Sequence, residues 1–170
     1  MKKILTFILL FLLVSNSSLY SQVIFRLIQG SKANYSISIP NNYYLKESIG
    51  ANVDLKYVNS EGASIITVIR NLPEGVIESD INQMSVPSDQ EIINIHESNG
   101  LENISIIKRG FIIINGVRSY ITYYRSTDLY YHSITQFRKG KIILLTYTCE
   151  FSKKDLYMPY IYRVVNSLRS

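Results

Sequence analysis

Few side chains in this sequence are of the types that usually perform chemistry at protein sites. The imidazoles and the thiol are His96, His132 and Cys149. Glu91 lies five residues from His96 and Glu97 lies next to it, so a helix would place neither carboxylate beside that ring. The charged neighbour of Cys149 is Glu150, whose negative charge disfavours the reactive thiolate. We therefore predict a structural cysteine and neither a metal site nor a cofactor.

The sequence also lacks the local motifs of common enzymes. It contains no nucleophile elbow and no glycine-rich phosphate loop. Acidic residues outside positions 74–102 are scattered along the chain, whereas acid–base catalysis needs carboxylates that are held together in a cleft. A non-enzymatic protein is therefore the prediction, and a hydrolytic enzyme is the least favoured class.

One row of polar side chains could nevertheless bind an anion. The predicted turns at Asn115-Gly116 and Lys139-Gly140 have two residues each, and the connection from Ser126 to Leu129 has four. Because all three lengths are even, residues that are aligned across the four strands point to the same face of the sheet. The aligned residues are Lys108, Tyr123, His132 and Tyr147. An ammonium, an imidazole and two phenols can donate hydrogen bonds to an anion or to an acidic side chain. The alternative is a structural cross-strand ladder, worth about 0.2 to 1 kcal/mol per pair, and it is the simpler interpretation.

Charge is distributed unevenly along the chain. Residues 74–102 (the acidic segment) contain seven acidic and no basic residues, whereas residues 103–170 contain eleven basic and three acidic ones. The two segments could be solvated faces that partly neutralise one another, or the basic one could dock an acidic protein or an anionic envelope component. At the last predicted turn, the candidates for a partner contact are Arg138, Lys139 and Lys141. Nucleic acid is not an expected partner, because the net charge is small and no recognition helix or stacking motif is present.

The spacing of apolar residues and the turn-forming residues between them predict the strands and helices that position these side chains. Runs of apolar and β-branched residues are typical of strands at 35–39, 52–58, 63–70, 103–114, 117–125, 130–138 and 141–149. Helical stretches are predicted at 77–84 and 88–99. Ser88 and Glu91 form a capping box that opens the second of these helices. Ser152 and Asp155 form a second capping pair ahead of a C-terminal helix.

The N-terminus has the pattern of an export signal. Lys2 and Lys3 precede the apolar run Ile4–Val14, and small polar residues follow it. That run is about half of the roughly 20 residues needed to span a bilayer, so a cleaved signal is favoured over an anchor. We place cleavage after Ser21, with Ser18 as the alternative, and predict a periplasmic or extracellular protein without a transmembrane segment. The predicted organisation is a signal peptide at 1–21, an N-terminal leader at 22–33 and a single domain at 34–170.

Several short stretches, distributed over the whole predicted domain, form a familiar set. They are Tyr35-x-Ile37-x-Ile39-Pro40-x-x-Tyr43, Ala63-Ser64-Ile65, Ile114-Asn115-Gly116-Val117, Leu145-Thr146-Tyr147, Tyr157-x-Pro159 and Asn166-Ser167-Leu168. Together they resemble the PsbP-like superfamily over residues 34–169. The resemblance implies an α+β fold, an α/β/α sandwich around a central antiparallel sheet of six to seven strands with a C-terminal helix.

Understood members of that superfamily act as binding partners. Examples are the extrinsic subunit of photosystem II and a small Ran-binding import factor. The resemblance transfers no functional residue to this chain, because no photosystem-docking or Ran-binding motif can be matched residue by residue. Tyr43 also stands where many relatives have Trp.

These observations favour a secreted, non-enzymatic binding or accessory module. It would dock a protein or an envelope component through a sheet face or through the basic rim at the strand ends. A carrier of a small apolar ligand, held between sheet and helix, is the alternative and would require an internal cavity. A hydrolytic enzyme would instead present a deep pocket with clustered titratable residues.

Overall fold

The protein folds into nine strands and three α-helices within residues 23–47 and 49–170, the part of the chain that the computed structural model describes. The strands are β1 (Phe25–Gln29), β2 (Ser36–Pro40), β3 (Tyr44–Leu45), β4 (Val53–Val58), β5 (Ser64–Asn71), β6 (Ile104–Ile114), β7 (Val117–Ser126), β8 (Leu129–Arg138) and β9 (Lys141–Glu150). The helices are α1 (Glu78–Gln83), α2 (Asp89–Ser98) and α3 (Lys154–Asn166). No helix in these ranges is long and apolar enough to cross a membrane. The predicted signal peptide, residues 1–21, lies outside the described residues.

Seven of the described strands form one antiparallel sheet in the order β3-β4-β5-β9-β8-β7-β6. β1 and β2 pair separately as a two-stranded sheet. The turn between β6 and β7 places Asn115 at φ 50° and Gly116 at φ 80°, the positive values that a two-residue type I′ turn requires. Lys139 and Gly140 close the β8–β9 hairpin in the same way, at φ 50° and 74°. The predicted α+β class and its central antiparallel sheet are confirmed.

Helices cover both faces of the seven-stranded sheet. Neighbouring residues of a strand point to opposite faces, and Tyr123 and Tyr124 of β7 lie in the two different environments. Tyr123 stacks on His132, whose ring is in turn met edge-on by Tyr162 of α3. Tyr124 packs against His96 of α2, with ring centroids 4.2 Å apart and the rings tilted by 32°. The α/β/α sandwich implied by the sequence resemblance is therefore the observed architecture.

The main core lies between the large sheet and a layer made of β1, β2 and α3. Ile37 and Ile39 of β2 and Ile161 of α3 have no exposed surface. They pack with Ile134 and Leu145 of the sheet, which are also fully buried. Burial of an aliphatic side chain of this size contributes about 1.5 to 3 kcal/mol, so this layer is a large part of what stabilises the fold.

β1 corrects the domain boundary predicted at residue 34. All five of its residues pair with β2, and Phe25 stacks on Tyr160 of α3 with ring centroids 6.5 Å apart. The expected leader at 22–33 therefore contains a structural strand of the domain. Arg26 and Leu27 are both exposed, so β1 lacks the strict alternation by which half-buried strands are recognised in a sequence.

The two predicted capping boxes have different outcomes. Ser88 caps α2 as expected: its hydroxyl accepts a hydrogen bond from the Glu91 amide, and the Glu91 carboxylate accepts one from the Ser88 amide at 2.7 Å. Ser152 does not cap α3. Its hydroxyl donates to Oε1 of Glu150 at 2.7 Å, and the residues Phe151–Lys153 form a 3₁₀ turn. The N-cap position of α3 is occupied by Lys153, so Ser152 lies one residue too early to cap the helix.

Candidate functional site

The predicted row of polar side chains is present across the central strands. Its pairs, in order across β6, β7, β8 and β9, are Lys108–Tyr123, Tyr123–His132 and His132–Tyr147. The connection from β7 to β8 has two residues, Thr127-Asp128, rather than four, and parity is unchanged because both lengths are even. A β-bulge shifts the pairing of β6 with β7 between Ile106 and Lys108. The register predicted from the Asn115-Gly116 turn is therefore correct from that turn back to Lys108.

Burial decides what a partner can reach in this row. His132 and Tyr147 have no exposed surface, Tyr123 is 9% exposed, and Lys108 is exposed. The ring of Tyr123 stacks on one side of His132 with centroids 3.6 Å apart, and Tyr162 of α3 approaches edge-on at 6.0 Å. In this structure a docking partner therefore reaches Lys108 but neither His132 nor Tyr147.

Burial also sets the charge of His132. Removal from water lowers the pKa of its imidazole to about 3, and the positive charge of Lys108 acts in the same direction. Nδ1 lies 3.3 Å from the hydroxyl of Tyr130, whereas Nε2 has no hydrogen-bond partner among the described residues. A neutral, enclosed imidazole offers no charge to an anion, so the row has the geometry of the structural ladder.

His96 and Cys149 are also held in packed environments. His96 lies against Tyr124, and burial lowers its pKa. Burial, followed by the charge of Glu150, raises the pKa of the Cys149 thiol to about 11, so the thiol is protonated at neutral pH. Within residues 23–47 and 49–170, no group of three or more His, Cys, Asp and Glu side chains is arranged to hold a metal ion.

The cationic residues predicted for partner contact surround the turn between β8 and β9. Arg138 and Lys139 are exposed, and the Nζ of the half-buried Lys141 donates to Oδ1 of Asn71 at 2.6 Å. Arg70 joins them, because β5 lies beside β9 and ends at this side of the sheet. The sequence alone does not predict that Arg70 lies beside these three residues, since β5 is far from β9 in the chain. We call these four residues the basic end: Arg70, Arg138, Lys139 and Lys141.

The two ends of the sheet differ in how their charges are matched. Among the described residues, no carboxylate forms an ion pair with any residue of the basic end. At the opposite end the ion pairs are Arg125–Asp128, Lys153–Glu61, Lys153–Glu150 and Lys154–Asp155. The basic end is therefore the strand-end surface whose cations are left without carboxylate partners.

The acidic segment contacts two basic residues of the sheet outside the basic end. Asp89 of α2 pairs with Arg109 of β6. Arg118 of β7 donates to the carbonyl oxygen of Ile81 at 2.5 Å, at the end of α1. Glu78 lies beside the basic end, where its carboxylate accepts a hydrogen bond from the Gly140 amide of the β8–β9 turn at 3.3 Å and forms no ion pair with a described cation. Partial neutralisation, one of the two interpretations of the charge pattern, thus occurs at Arg109, whereas Arg118 is held by an uncharged carbonyl group.

A concave site lies where α3 begins. It is a cavity of about 230 Å³, here called the tyrosine pocket, lined by Asn42, Tyr43, Asn59, Glu61, Leu156, Tyr157 and Tyr160. The hydroxyl of Tyr157 donates to Oε2 of Glu61 at 3.0 Å and accepts from Nδ2 of Asn59 at 3.0 Å. No local pattern in the sequence signals this pocket, because its residues come from three separate segments that meet only in the folded protein.

The fold belongs to a class shared by several solved structures, an antiparallel sheet sandwiched between helices. A solution structure of cyanobacterial PsbP (CyanoP) from Synechocystis sp. PCC 6803 matches with a TM-score of 0.67 and 15% identity, covering 91% of this chain and 98% of that one. LpqN from Mycobacterium tuberculosis, described as involved in cell envelope biogenesis, matches with a TM-score of 0.56 and 9% identity over 86% of this chain and 90% of LpqN. PA94 from Pseudomonas aeruginosa, of unknown function, matches with a TM-score of 0.52 and 15% identity over 86% and 96% of the two chains.

The chain therefore has the PsbP-like fold, and the resemblance predicted from its sequence is confirmed at the level of structure. No family model and no curated protein sequence matches the chain. At identities of 15% and below, the structural matches establish the fold and leave the function to be argued from the surface.

Proposed function

We propose that this protein is an exported, non-enzymatic docking module that binds an anionic protein or another anionic envelope component through its basic end. The observation that carries the proposal is the contrast in ion pairing. The basic end holds cations without carboxylate partners, whereas the cations at the opposite end of the sheet are paired within the chain. Unmatched surface charge of one sign attracts an oppositely charged partner and orients its approach.

The shape of the surface supports the same function. A groove of about 250 Å³ adjoins the basic end between α1 and the sheet, and its lining includes two cations, Arg118 and Arg138, against one carboxylate, Glu78. The guanidinium of Arg118 lies 3.4 Å over the ring of Phe111, and its bond to the backbone of α1 fixes its position. An acidic side chain of a partner could enter such a groove, because guanidinium groups bind carboxylates in a defined geometry.

Two further observations support export and the absence of catalysis. Lys2, Lys3 and the apolar run Ile4–Val14 have the pattern of a secretory signal, and LpqN, which shares the fold, is described as acting in cell envelope biogenesis. His132 and Cys149, the side chains best suited to catalysis, are both buried and uncharged at neutral pH. A substrate at the surface would meet neither of them.

A capture experiment tests the proposal with two variants of equal charge change. Arg138→Glu combined with Lys139→Glu reverses two exposed cations of the basic end and leaves the hydrogen bond of Lys141 in place. Lys46→Glu combined with Lys56→Glu reverses one exposed and one half-buried cation away from that end. We expect the envelope partners captured by the original protein to be lost in the first variant and retained in the second.

The salt dependence of capture provides a second measurement. Binding to the basic end is expected to weaken between about 0.05 and 0.5 M salt, because screening reduces the attraction between exposed charges. Equal recovery of the same partners by both variants would overturn the proposal. Equal loss in both variants would also overturn it, because net charge rather than the basic end would then govern capture.

A further inference from the structure

The tyrosine pocket contains a carboxylate whose charge is incompletely matched. The ammonium of Lys153 lies 3.5 Å from Oε2 of Glu61 and 3.5 Å from Oε2 of Glu150, so one positive charge is shared between two negative ones. The nearby Lys154 is paired with Asp155. The cluster of Glu61, Lys153 and Glu150 therefore carries a net charge of about −1, in a protein whose overall charge is positive.

The carboxylate of Glu61, which lines the pocket, has an oxygen atom that is still able to accept hydrogen bonds. Oε2 of Glu61 receives both the hydroxyl of Tyr157 and the ammonium of Lys153. Oε1 of Glu61 accepts no hydrogen bond from any residue in the described part of the chain. A carboxylate has room for about four hydrogen bonds, so Glu61 can still accept a donor from a ligand.

Aromatic rings make up much of the remaining wall, and packing holds them in place. Tyr157 lies between Tyr147 and Tyr160, with ring centroids 6.1 and 6.2 Å away. Tyr43 shares a hydrogen bond with the hydroxyl of Tyr147, and it also receives the amide of Asn59 at 3.5 Å. Tyrosine rings attract cations through the negative face of the ring, and preorganised walls reduce the entropy that binding costs.

From this arrangement we infer that the tyrosine pocket binds a small amine in its protonated form. The ammonium group donates to Oε1 of Glu61, and the body of the ligand packs against the rings of Tyr157 and Tyr160. This site is at the end of the sheet opposite the basic end and has the opposite charge preference, so it is independent of the docking proposed above.

Benzylammonium chloride and benzyl alcohol are a suitable pair of probes, because they have the same aromatic body and differ in charge. Titration of the purified protein, followed by ¹H–¹⁵N chemical shifts, is expected to give saturable binding of benzylammonium with shifts at residues 42–43, 59–61 and 156–160. Glu61→Gln keeps the shape of the side chain and is expected to weaken binding about tenfold. Tyr160→Leu removes a half-buried ring and is expected to weaken it about two- to fivefold.

Asp128→Asn is the matched control. It removes a carboxylate at the same end of the sheet, but Asp128 pairs with Arg125, does not contact Lys153 and does not line the pocket, so this variant is expected to bind benzylammonium as well as the original protein. Thermal melts of each variant check that the fold is retained. Equal binding of benzyl alcohol, undiminished binding by Glu61→Gln, shifts confined to other residues, or no saturable binding of benzylammonium would each overturn the inference.

Discussion

The burial of His132 predicts a loss of stability in mild acid. Its folded-state pKa, about 3, lies below the value of about 6.5 expected in the unfolded chain. Below pH 6.5 the unfolded state therefore binds a proton that the folded state does not accept, and stability falls as the pH falls. The contribution of neutral His132 to stability is fully present above pH 6.5 and is lost progressively between pH 6.5 and 3.

The size of the effect follows from the difference between the two pKa values. Between pH 7 and pH 5, the unfolded imidazole becomes almost fully protonated while the folded one stays neutral. Proton linkage at a single site then gives a loss of about 2 kcal/mol in the free energy of unfolding. Carboxylates contribute little in this interval, because their unfolded pKa values lie near 4.

Urea unfolding followed by far-ultraviolet circular dichroism at pH 7 and pH 5 measures this loss. His132→Phe keeps a ring against Tyr123 and removes the ionisable nitrogens, so most of the difference between the two pH values should disappear. His96→Gln is the control: burial also lowers the pKa of His96, but this variant keeps His132 and should retain a loss of about 2 kcal/mol.

Two results would refute the reasoning about His132. One is an unfolding free energy of the original protein that is equal at pH 7 and pH 5. The other is a pH dependence that persists in His132→Phe and disappears in His96→Gln. Either would mean that water or a local opening gives the imidazole of His132 access to protons in the folded state.

Two other predictions concern close packing and a buried thiol. Gly30→Ala would place a methyl group 2.0 Å from the ring of the buried Tyr35, so we expect it to destabilise the protein by about 1 to 3 kcal/mol. The change is measured as a lower midpoint of thermal unfolding, and an unchanged midpoint would contradict this contact. Cys149 is buried and protonated, so a thiol reagent at pH 7 should label it only at the rate of unfolding, and rapid labelling of the folded protein would contradict its packing.

Local sequence patterns determined most of the strands and turns of this protein. Asn115-Gly116 and Lys139-Gly140 specify tight hairpins because few residue pairs accept positive φ at both positions. Once the turns are fixed, parity aligns Lys108 with Tyr147 across four strands, and this alignment is present in the structure. β1 was not predicted because it pairs, among the described residues, with β2 alone, which leaves it half exposed and without a periodic pattern.

The chemical character of the candidate sites was decided by tertiary contacts. The position of α3 converts His132 from a surface donor into a neutral, enclosed ring, and the sheet order brings Arg70 to the basic end. The tyrosine pocket likewise depends on residues as distant in sequence as Tyr43 and Tyr147. Hydrogen-bonding capacity and turn geometry are properties of short stretches, so the sequence determines them by itself. Burial, pKa and unmatched charge depend on which distant segments pack together, and only the folded chain defines these.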